Sequence, residues 1–314
     1  MPRPDSGPAP VERVVPTSAA RERLDRALPK LVEGLTRSQA KRLIDLGRVT
    51  VDGAPAKAGL VLRGGERLRV EPEPPEAWSV EPEPIPVPVL FQDDDLVVVD
   101  KPADLVVHPA VGHPRGTLVN ALAHLGAAGG DPGRPGIVHR LDRGTSGTMV
   151  VARNVEAHAR LAAQFARHTV EKLYAALVVG EPPANGRIET LFGRHPVDRK
   201  RFSSKVPRGR KALTSFRTLE RAPGCARLEV RLGTGRTHQI RVHLSESGWP
   251  ILGDELYGRR LRDPVLRRAA ARLGRPALHA AVLAFDHPRT GARLRFAAPL
   301  PTDFLEAWAT VRGG

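Results

Sequence analysis

The chain has 314 residues, 41% hydrophobic and 26% charged, which is enough apolar material to bury a core and too much for wholesale disorder. Lys and Arg number 49 against 34 Asp and Glu, a formal charge of +15 that favours polyanionic partners, nucleic acid before an anionic membrane. No apolar run approaches the ~20 residues of a spanning helix. The N-terminus carries no secretory leader core, and the single Cys225 excludes a disulfide scaffold or thiolate metal cluster, so a cytoplasmic protein is expected.

Residues 1–17 are polar and Pro-rich and are expected to form a disordered tail. A helical period then begins, with Leu24, Leu28 and Leu31 on one face. TRSQAKRLIDLG predicts a second helix, capped by Thr36 or Ser38 and stopped by Gly47. RVTVDG predicts a strand closing on an Asp-Gly turn, and Glu66 to Val70 a further strand. Residues 18–70 thus form a small module. Residues 71–84, EPEPPEAWSVEPEP, are acidic and Pro-rich and read as an extended linker.

The stretch 85–314 mixes both kinds of element. VLFQDDDLVVVDKP predicts a hairpin, TLVNALAHLG and NVEAHARLAAQFARH predict helices, and KLYAALVVG, ARLEVRLG, ALHAAVLAF and ARLRFA predict strands. Strands and helices do not alternate regularly. The expected fold class is therefore α+β, a mixed and mostly antiparallel catalytic sheet with a small N-terminal α/β module.

Positive charge gathers twice. Between Arg37 and Arg69 eight basic residues face only Asp45, Asp52 and Glu66. Of these, Arg37, Lys41, Arg42 and Arg48 lie on or just after the second predicted helix, either as a solvated face or as a phosphate-contacting surface. Between Arg194 and Lys211 eight more face Asp198 alone: Arg194, Arg199, Lys200, Arg201, Lys205, Arg208, Arg210 and Lys211. That segment has little to anchor it and reads as a mobile loop that orders on nucleic acid, or as a solubilising loop.

Candidate chemistry centres on GIVHRLDRGTSGTMVVARN, residues 136–154. Asp142 sits between Arg140 and Arg143, whose positive field favours the carboxylate. Such a group can be a nucleophile, a metal ligand or an ion-pair partner. Gly144 and Gly147 permit a sharp turn before an apolar strand. LGTGRTHQIRVHLSESGWPILGDELYG, residues 232–258, crowds Arg236, His238, Arg241 and His243 near a helix entry capped by Thr237. Its histidines are five residues apart and do not share a helix face, so no HExxH-like metal site is indicated. Tyr174, one of two tyrosines, reads by itself as a core residue of a strand. The residues alone therefore reach a basic, two-domain, nucleic-acid-associated protein with a candidate carboxylate, and no reaction.

Four ordered motifs supply the reaction by resemblance. HRLDRGTSG (139–147) resembles the signature of the RluA family of RNA pseudouridine synthases. DKPADLVVHPA (100–110), EKLYAALVVG (171–180) and LGTGRTHQIRVH (232–243) with GDELYG (253–258) are similar to its remaining motifs, and GIVHRLDRGTSG with HPAVGHPRGTLVNAL leans toward the RluD branch. RSQAKRLIDLGRVTVDG resembles the RNA-binding domain first known from ribosomal protein S-four. Asp104 and Thr148 depart from the common pattern, at positions away from the proposed reacting groups.

The resemblance implies isomerisation of uridine to pseudouridine in structured RNA, foremost large-subunit ribosomal RNA or its assembly particle, by a monomer that needs no cofactor, metal or membrane. It makes Asp142 the catalytic carboxylate, Tyr174 the residue that stacks on the base and a candidate to take the C5 proton, and Arg236 the partner of Asp142. Arg140, His139, Ile240, Thr145 and Lys101 become substrate-binding residues, with Arg140 filling the place of a flipped base. Residues 85–314 become the catalytic domain. The rival readings are a transfer-RNA-directed synthase, a non-catalytic ribosome assembly factor, and a metal-dependent nuclease, for which the motifs hold too few acidic groups.

Overall fold

The computed structural model describes residues 10–32, 35, 37–71, 80–107, 115–130, 133–198 and 200–313. The chain divides into two compact units, Met1–Trp78 and Ser79–Gly314.

The first unit contains β1 (Val11–Val14), α1 (Leu24–Leu31), α2 (Arg37–Asp45), β2 (Val49–Val51), β3 (Ala54–Pro55) and β4 (Arg67–Val70). The strands form one antiparallel sheet in the order β1-β4-β2-β3. Leu24 and Leu28 from α1 and Leu43 and Ile44 from α2 bury against Val49, Leu68 and Val70. The amphipathic spacing of the helices and the period-two pattern of the strands thus meet in one small core. Asp52 and Gly53 both take positive φ, 50° and 79°, as a type I′ hairpin turn requires, and Asp52 Oδ1 accepts the Arg67 N–H at 2.8 Å.

One expectation fails here. Val11–Val14 is not part of a disordered tail; it pairs with β4 from Val11↔Val70 to Val14↔Arg67. Val15 then fixes the end of the strand, buried and bonded to Glu66 and Gly65 through its backbone. Four residues between prolines leave too weak a periodic signal for a strand whose partner residues lie 53 to 59 positions away. The expected caps Thr36 and Ser38, the tail before residue 10 and most of the 71–84 linker lie outside the described residues or side chains.

The second unit is built on a ten-stranded sheet. Its strands are β5 (Val89–Gln92), β6 (Leu96–Lys101), β7 (Ser146–Ala152), β8 (Glu171–Val179), β9 (Asn185–Arg194), β10 (Phe202–Ser203), β11 (Arg210–Ala222), β12 (Cys225–Leu232), β13 (Leu278–Asp286) and β14 (Arg293–Ala297). The order is β10-β9-β11-β12-β8-β13-β7-β6-β5, with β14 pairing β13. The β13–β7 pair is parallel and the rest are antiparallel. The helices are α3 (Leu118–His124), α4 (Val155–Ala166), α5 (Gln239–Glu246), α6 (Pro264–Leu273) and α7 (Thr302–Arg312).

Helices cover both faces of the β6–β7 region. Leu96, Val98, Val150 and Ala152 pack with Leu161 of α4, while Val97, Val99, Met149 and Val151 pack with Leu118 and Leu122 of α3. Burial on both sides is why these strands read as continuous apolar runs. A larger core joins β8 and β12 to α5, α6 and α7 through Leu228, Leu244, Leu266, Phe304 and Trp308.

The basic segment 194–211 is not a structureless loop. β9 extends to Arg194, β11 starts at Arg210, and β10 pairs back on β9 through Phe202↔Arg194. Its anchors are remote in sequence: Ser203 Oγ and the Ser204 N–H donate to Glu246, and the Phe202 N–H donates to the Tyr257 hydroxyl at 2.9 Å. Phe202 also stacks on Phe192, with centroids 5.9 Å apart.

Candidate active site

A cleft of about 460 Å3 opens where the loop before β7, the start of β8 and the N-terminal turn of α5 converge. Its size falls in the roughly 300–1,000 Å3 range of small-molecule sites. Asp142, Tyr174 and Arg236 line it together, as do Arg140, His139, Thr145 and Ile240.

The Asp142 loop is held tightly. The Thr145 N–H returns to the Asp142 carbonyl at 3.0 Å, and the Gly144 N–H donates to the Ala103 carbonyl at 3.0 Å. Arg275, hardly foreseeable from its surroundings in sequence, donates to the Gly144 carbonyl at 3.1 Å and grips Asp303 at 2.6 and 2.8 Å. Gly147 has φ +115°, and a Cβ there would stand 2.3 Å from the Ala280 carbonyl oxygen. Only glycine lets β7 approach β13 this closely.

The Asp142 side chain is 15% exposed. Arg241 Nη1 approaches its Oδ2 at 3.5 Å and His238 Nε2 at 3.9 Å. The expected Arg236–Asp142 pair is not what forms. Arg236 stands in the turn before α5, where its backbone N–H donates to Gln239 Oε1 and its Nε to the Lys211 carbonyl at 3.4 Å. Arg241 is inside α5 and is the guanidinium that the helix presents to the carboxylate. Its own position is set by Asp254, fully buried, which it grips at 2.7 and 2.9 Å. Asp254 Oδ1 also accepts the Leu256 and Tyr257 N–H groups, so the GDELYG turn fixes the arginine. The motif contained this signal: an arginine among Ile240, Val242 and Leu244 is buried and needs an anion.

Tyr174 projects from β8, and burial, with the Asp142 charge second, raises its hydroxyl well above the usual phenol range. It is a neutral phenol at physiological pH. Lys172, two residues earlier and on the same strand face, also lines the cleft, which the sequence reading did not assign. Burial, followed by the nearby Arg236 charge, lowers its ammonium.

His139 is half-buried and stacked on Phe165 with centroids 4.5 Å apart. Its Nε2 accepts the Val150 N–H at 3.1 Å, and burial, followed by the Lys172 charge, pushes it down to about 3. It is a neutral support of the loop as well as a cleft wall. The Thr145 hydroxyl is buried with no hydrogen-bond partner among the described residues. Arg140 is exposed at the rim.

Lys101 departs from its expected place. It is fully buried outside the cleft lining, and Nζ donates to the carbonyls of Pro102 at 2.7 Å and Leu105 at 3.0 Å. Burial, followed by the like charge of Arg275, brings it down to about 8. It secures the turn whose Ala103 carbonyl holds Gly144.

Among the residues expected to grip RNA, Lys200, Lys205, Arg208, Arg210 and Lys211 are exposed, and Arg201 stacks over the Tyr257 ring, 5.2 Å from its centroid. Arg199 lies outside the described residues. On the first unit Arg42 is exposed and Arg48 half-buried, while Arg37 pairs with Asp25 and Lys41 with Asp45, each at 2.7 Å.

No helix among the described residues is long and apolar enough to cross a membrane. The family model described as RNA pseudouridylate synthase matches residues 95–246, and the S4 domain model matches residues 22–68. The chain is 41% identical over 303 residues to the Ribosomal large subunit pseudouridine synthase D of Pseudomonas aeruginosa, covering 95% of this chain and 94% of that one. It is 47% identical over 292 residues to an Uncharacterized RNA pseudouridine synthase of Chloroflexus aurantiacus, covering 92% and 90%. Among solved structures, Human RNA Pseudouridylate Synthase Domain Containing 4 aligns with a TM-score of 0.56 and 26% identity, over 72% of this chain and 93% of that one.

Proposed function

We propose that this chain, which belongs to the RNA pseudouridylate synthase family, converts uridines of large-subunit ribosomal RNA to pseudouridine with Asp142 as the reacting carboxylate. That it is an RNA pseudouridine synthase follows from its family and its full-length relatives. The substrate class comes from the names of the relatives, several of which are large-subunit synthases about 40% identical along nearly their whole length.

The observation that carries the residue assignment is the Asp142 carboxylate in the cleft, with Arg241 at 3.5 Å and Tyr174 on the lining beside it. The reaction breaks the bond from ribose C1′ to uracil N1 and forms one from C1′ to C5. A proton leaves C5 and one arrives at N1, so the change is redox-neutral and transfers no external group. A carboxylate can lend an electron pair to one fragment while the base turns, and then leave. Arg241, itself neutralised by Asp254, keeps that carboxylate aimed.

Tyr174 offers an apolar ring face for the uracil to stack on, and Ile240 closes the pocket. The partnerless Thr145 hydroxyl is available to a polar edge of the nucleotide. The target base reaches this depth only when flipped from its stack, and Arg140 at the rim can occupy the gap it leaves. The S4 module and the basic hairpin 194–211 supply phosphate contacts. We further propose that the chain acts as a monomer on ribosomal RNA or its assembly particle.

The test is a pseudouridine map of ribosomal RNA from cells with and without the gene, paired with the purified protein on large-subunit RNA. Loss of specific large-subunit positions, restored by the purified protein, is expected. An unchanged ribosomal map with losses confined to transfer RNA overturns the substrate assignment.

A further inference from the structure

A hydrogen-bond chain runs from the basic hairpin to the edge of the reacting carboxylate. The Phe202 N–H of β10 donates to the Tyr257 hydroxyl at 2.9 Å, and His238 Nδ1 lies 2.9 Å from the same oxygen. His238 Nε2 faces Asp142 Oδ2 at 3.9 Å. With the amide donating into Tyr257, the phenolic proton is free for His238 Nδ1. A neutral imidazole that accepts at Nδ1 carries its proton on Nε2.

Two further observations support this order. His238 is one of the few non-glycine residues with positive φ, 60°, at the N-terminal turn of α5. The chain holds a strained backbone where it places this ring. Burial raises the Tyr257 hydroxyl and, ahead of the opposed charges of Asp142 and Arg241, lowers His238, so the phenol keeps its proton and the imidazole stays neutral.

We propose that His238 is a positioning residue, held by Tyr257 as the Nε2–H tautomer, and the second donor to Asp142 beside Arg241. The inference rests on Asp142 being the reacting carboxylate. The 3.9 Å gap exceeds a hydrogen bond and closes when a uridine fills the cleft, as catalytic hydrogen bonds commonly do on substrate binding. Arg241 approaches the same Oδ2, so the two donors together fix the carboxylate plane. Because the chain begins on β10, the seating of the basic hairpin and the aim of Asp142 belong to one network.

The test uses the full-length protein labelled with 15N-histidine, the His238 signal being the one missing from His238→Gln. The parent protein should show His238 protonated on Nε2. Tyr257→Phe should lose that single tautomer. Single-turnover pseudouridine formation should slow about tenfold or more in Tyr257→Phe and His238→Leu, the scale of one hydrogen bond to a charged group, with RNA affinity unchanged in His238→Leu, which leaves the Phe202–Tyr257 bond of the hairpin in place. His238→Gln, whose side-chain amide can donate from the place of Nε2, should recover most of the rate despite the same backbone strain. A parent protein with the proton on Nδ1, or a glutamine variant as slow as the leucine variant, overturns the proposal. Parent-like activity of Asp142→Asn would instead sink the carboxylate assignment and leave the tautomer result standing.

Discussion

Arg241 Nη1 stands 3.5 Å from Asp142 Oδ2 while the same guanidinium grips Asp254 at 2.7 and 2.9 Å. One arginine therefore joins a carboxylate that is partly open to the cleft to one that is sealed from solvent. Asp254 balances the charge, and Asp142 keeps access to substrate.

Asp142→Asn should fold and bind RNA like the parent and form no measurable pseudouridine. The substitution is isosteric, and the loop is held by backbone contacts of Thr145 and Gly144 that it does not touch. Release of tritium from C5-labelled uridine RNA measures this. Turnover above a small fraction of the parent rate refutes the assignment.

Arg241→Lys should lower turnover about 10- to 150-fold, the equivalent of roughly 1.5–3 kcal/mol for a lost hydrogen bond to a charged group. Lysine keeps the charge but cannot make the fork onto Asp254 and reach Asp142 at once. Arg236→Ala should cost more in RNA affinity than in turnover, because the Arg236 side chain bonds the Lys211 carbonyl of the basic hairpin, while its backbone N–H to Gln239 survives the substitution. The reverse ranking of the two variants in single-turnover kinetics would return the role to Arg236.

Gly147→Ala should destabilise the catalytic unit by roughly 1–3 kcal/mol from left-handed backbone strain alone. The clash with the Ala280 carbonyl oxygen at 2.3 Å adds to it. Urea denaturation reads the change. A shift within a few tenths of a kcal/mol would mean that the β7–β13 approach is looser than it stands.

Acid should destabilise the fold well above the usual carboxylate range. The folded state holds His139 down to about 3 and His243 down to about 4, both chiefly through burial, whereas an unfolded histidine titrates near 6.5. The contribution is fully present above pH 6.5. It is lost as pH falls from there toward 4, because the unfolded chain binds protons that the folded chain refuses. Unfolding free energy measured between pH 7 and pH 4 should fall by a few kcal/mol, and His139→Gln should flatten part of that slope. A parallel slope in the variant would remove His139 from the account.

Removing residues 1–80 should leave a folded catalytic unit, since its apolar clusters draw on Val87 onward. The truncated protein should still act on a short uridine RNA, with weaker binding. Each lost phosphate contact should lower the salt slope of binding by roughly 0.7–0.9. Arg37 and Lys41 already have acidic partners, so the loss should reflect fewer contacts than the basic count of the module suggests. An unchanged slope would mean that this face is only solvated.

Local signals served the sequence reading well. Period-two and period-3.6 patterns located the β5–β6 hairpin, both helices of the first unit, α3 and α4, because each signal is contained within a dozen residues. The motifs gathered Asp142, Tyr174 and Arg236 to one cleft. What was lost depends on distant partners. β1 needs β4, the basic hairpin needs Glu246 and Tyr257, and Arg275 needs Asp303 and Gly144. Spacing within the motif does not show which arginine faces Asp142, since Arg236 stands in a turn and Arg241 points inward from a helix.

The backbone of the Asp142 loop is tied at Gly144 to Ala103 and Arg275, and at Gly147 to the edge of β13. On the proposed assignment of Asp142, a carboxylate whose backbone is held this way does not travel toward its target, and the nucleotide makes the journey. Its cost is then written in the RNA: unstacking and unpairing take a few kcal/mol, least where a uridine is already bulged or mispaired. Rates at different uridines should rank by the ease with which each leaves its own helix.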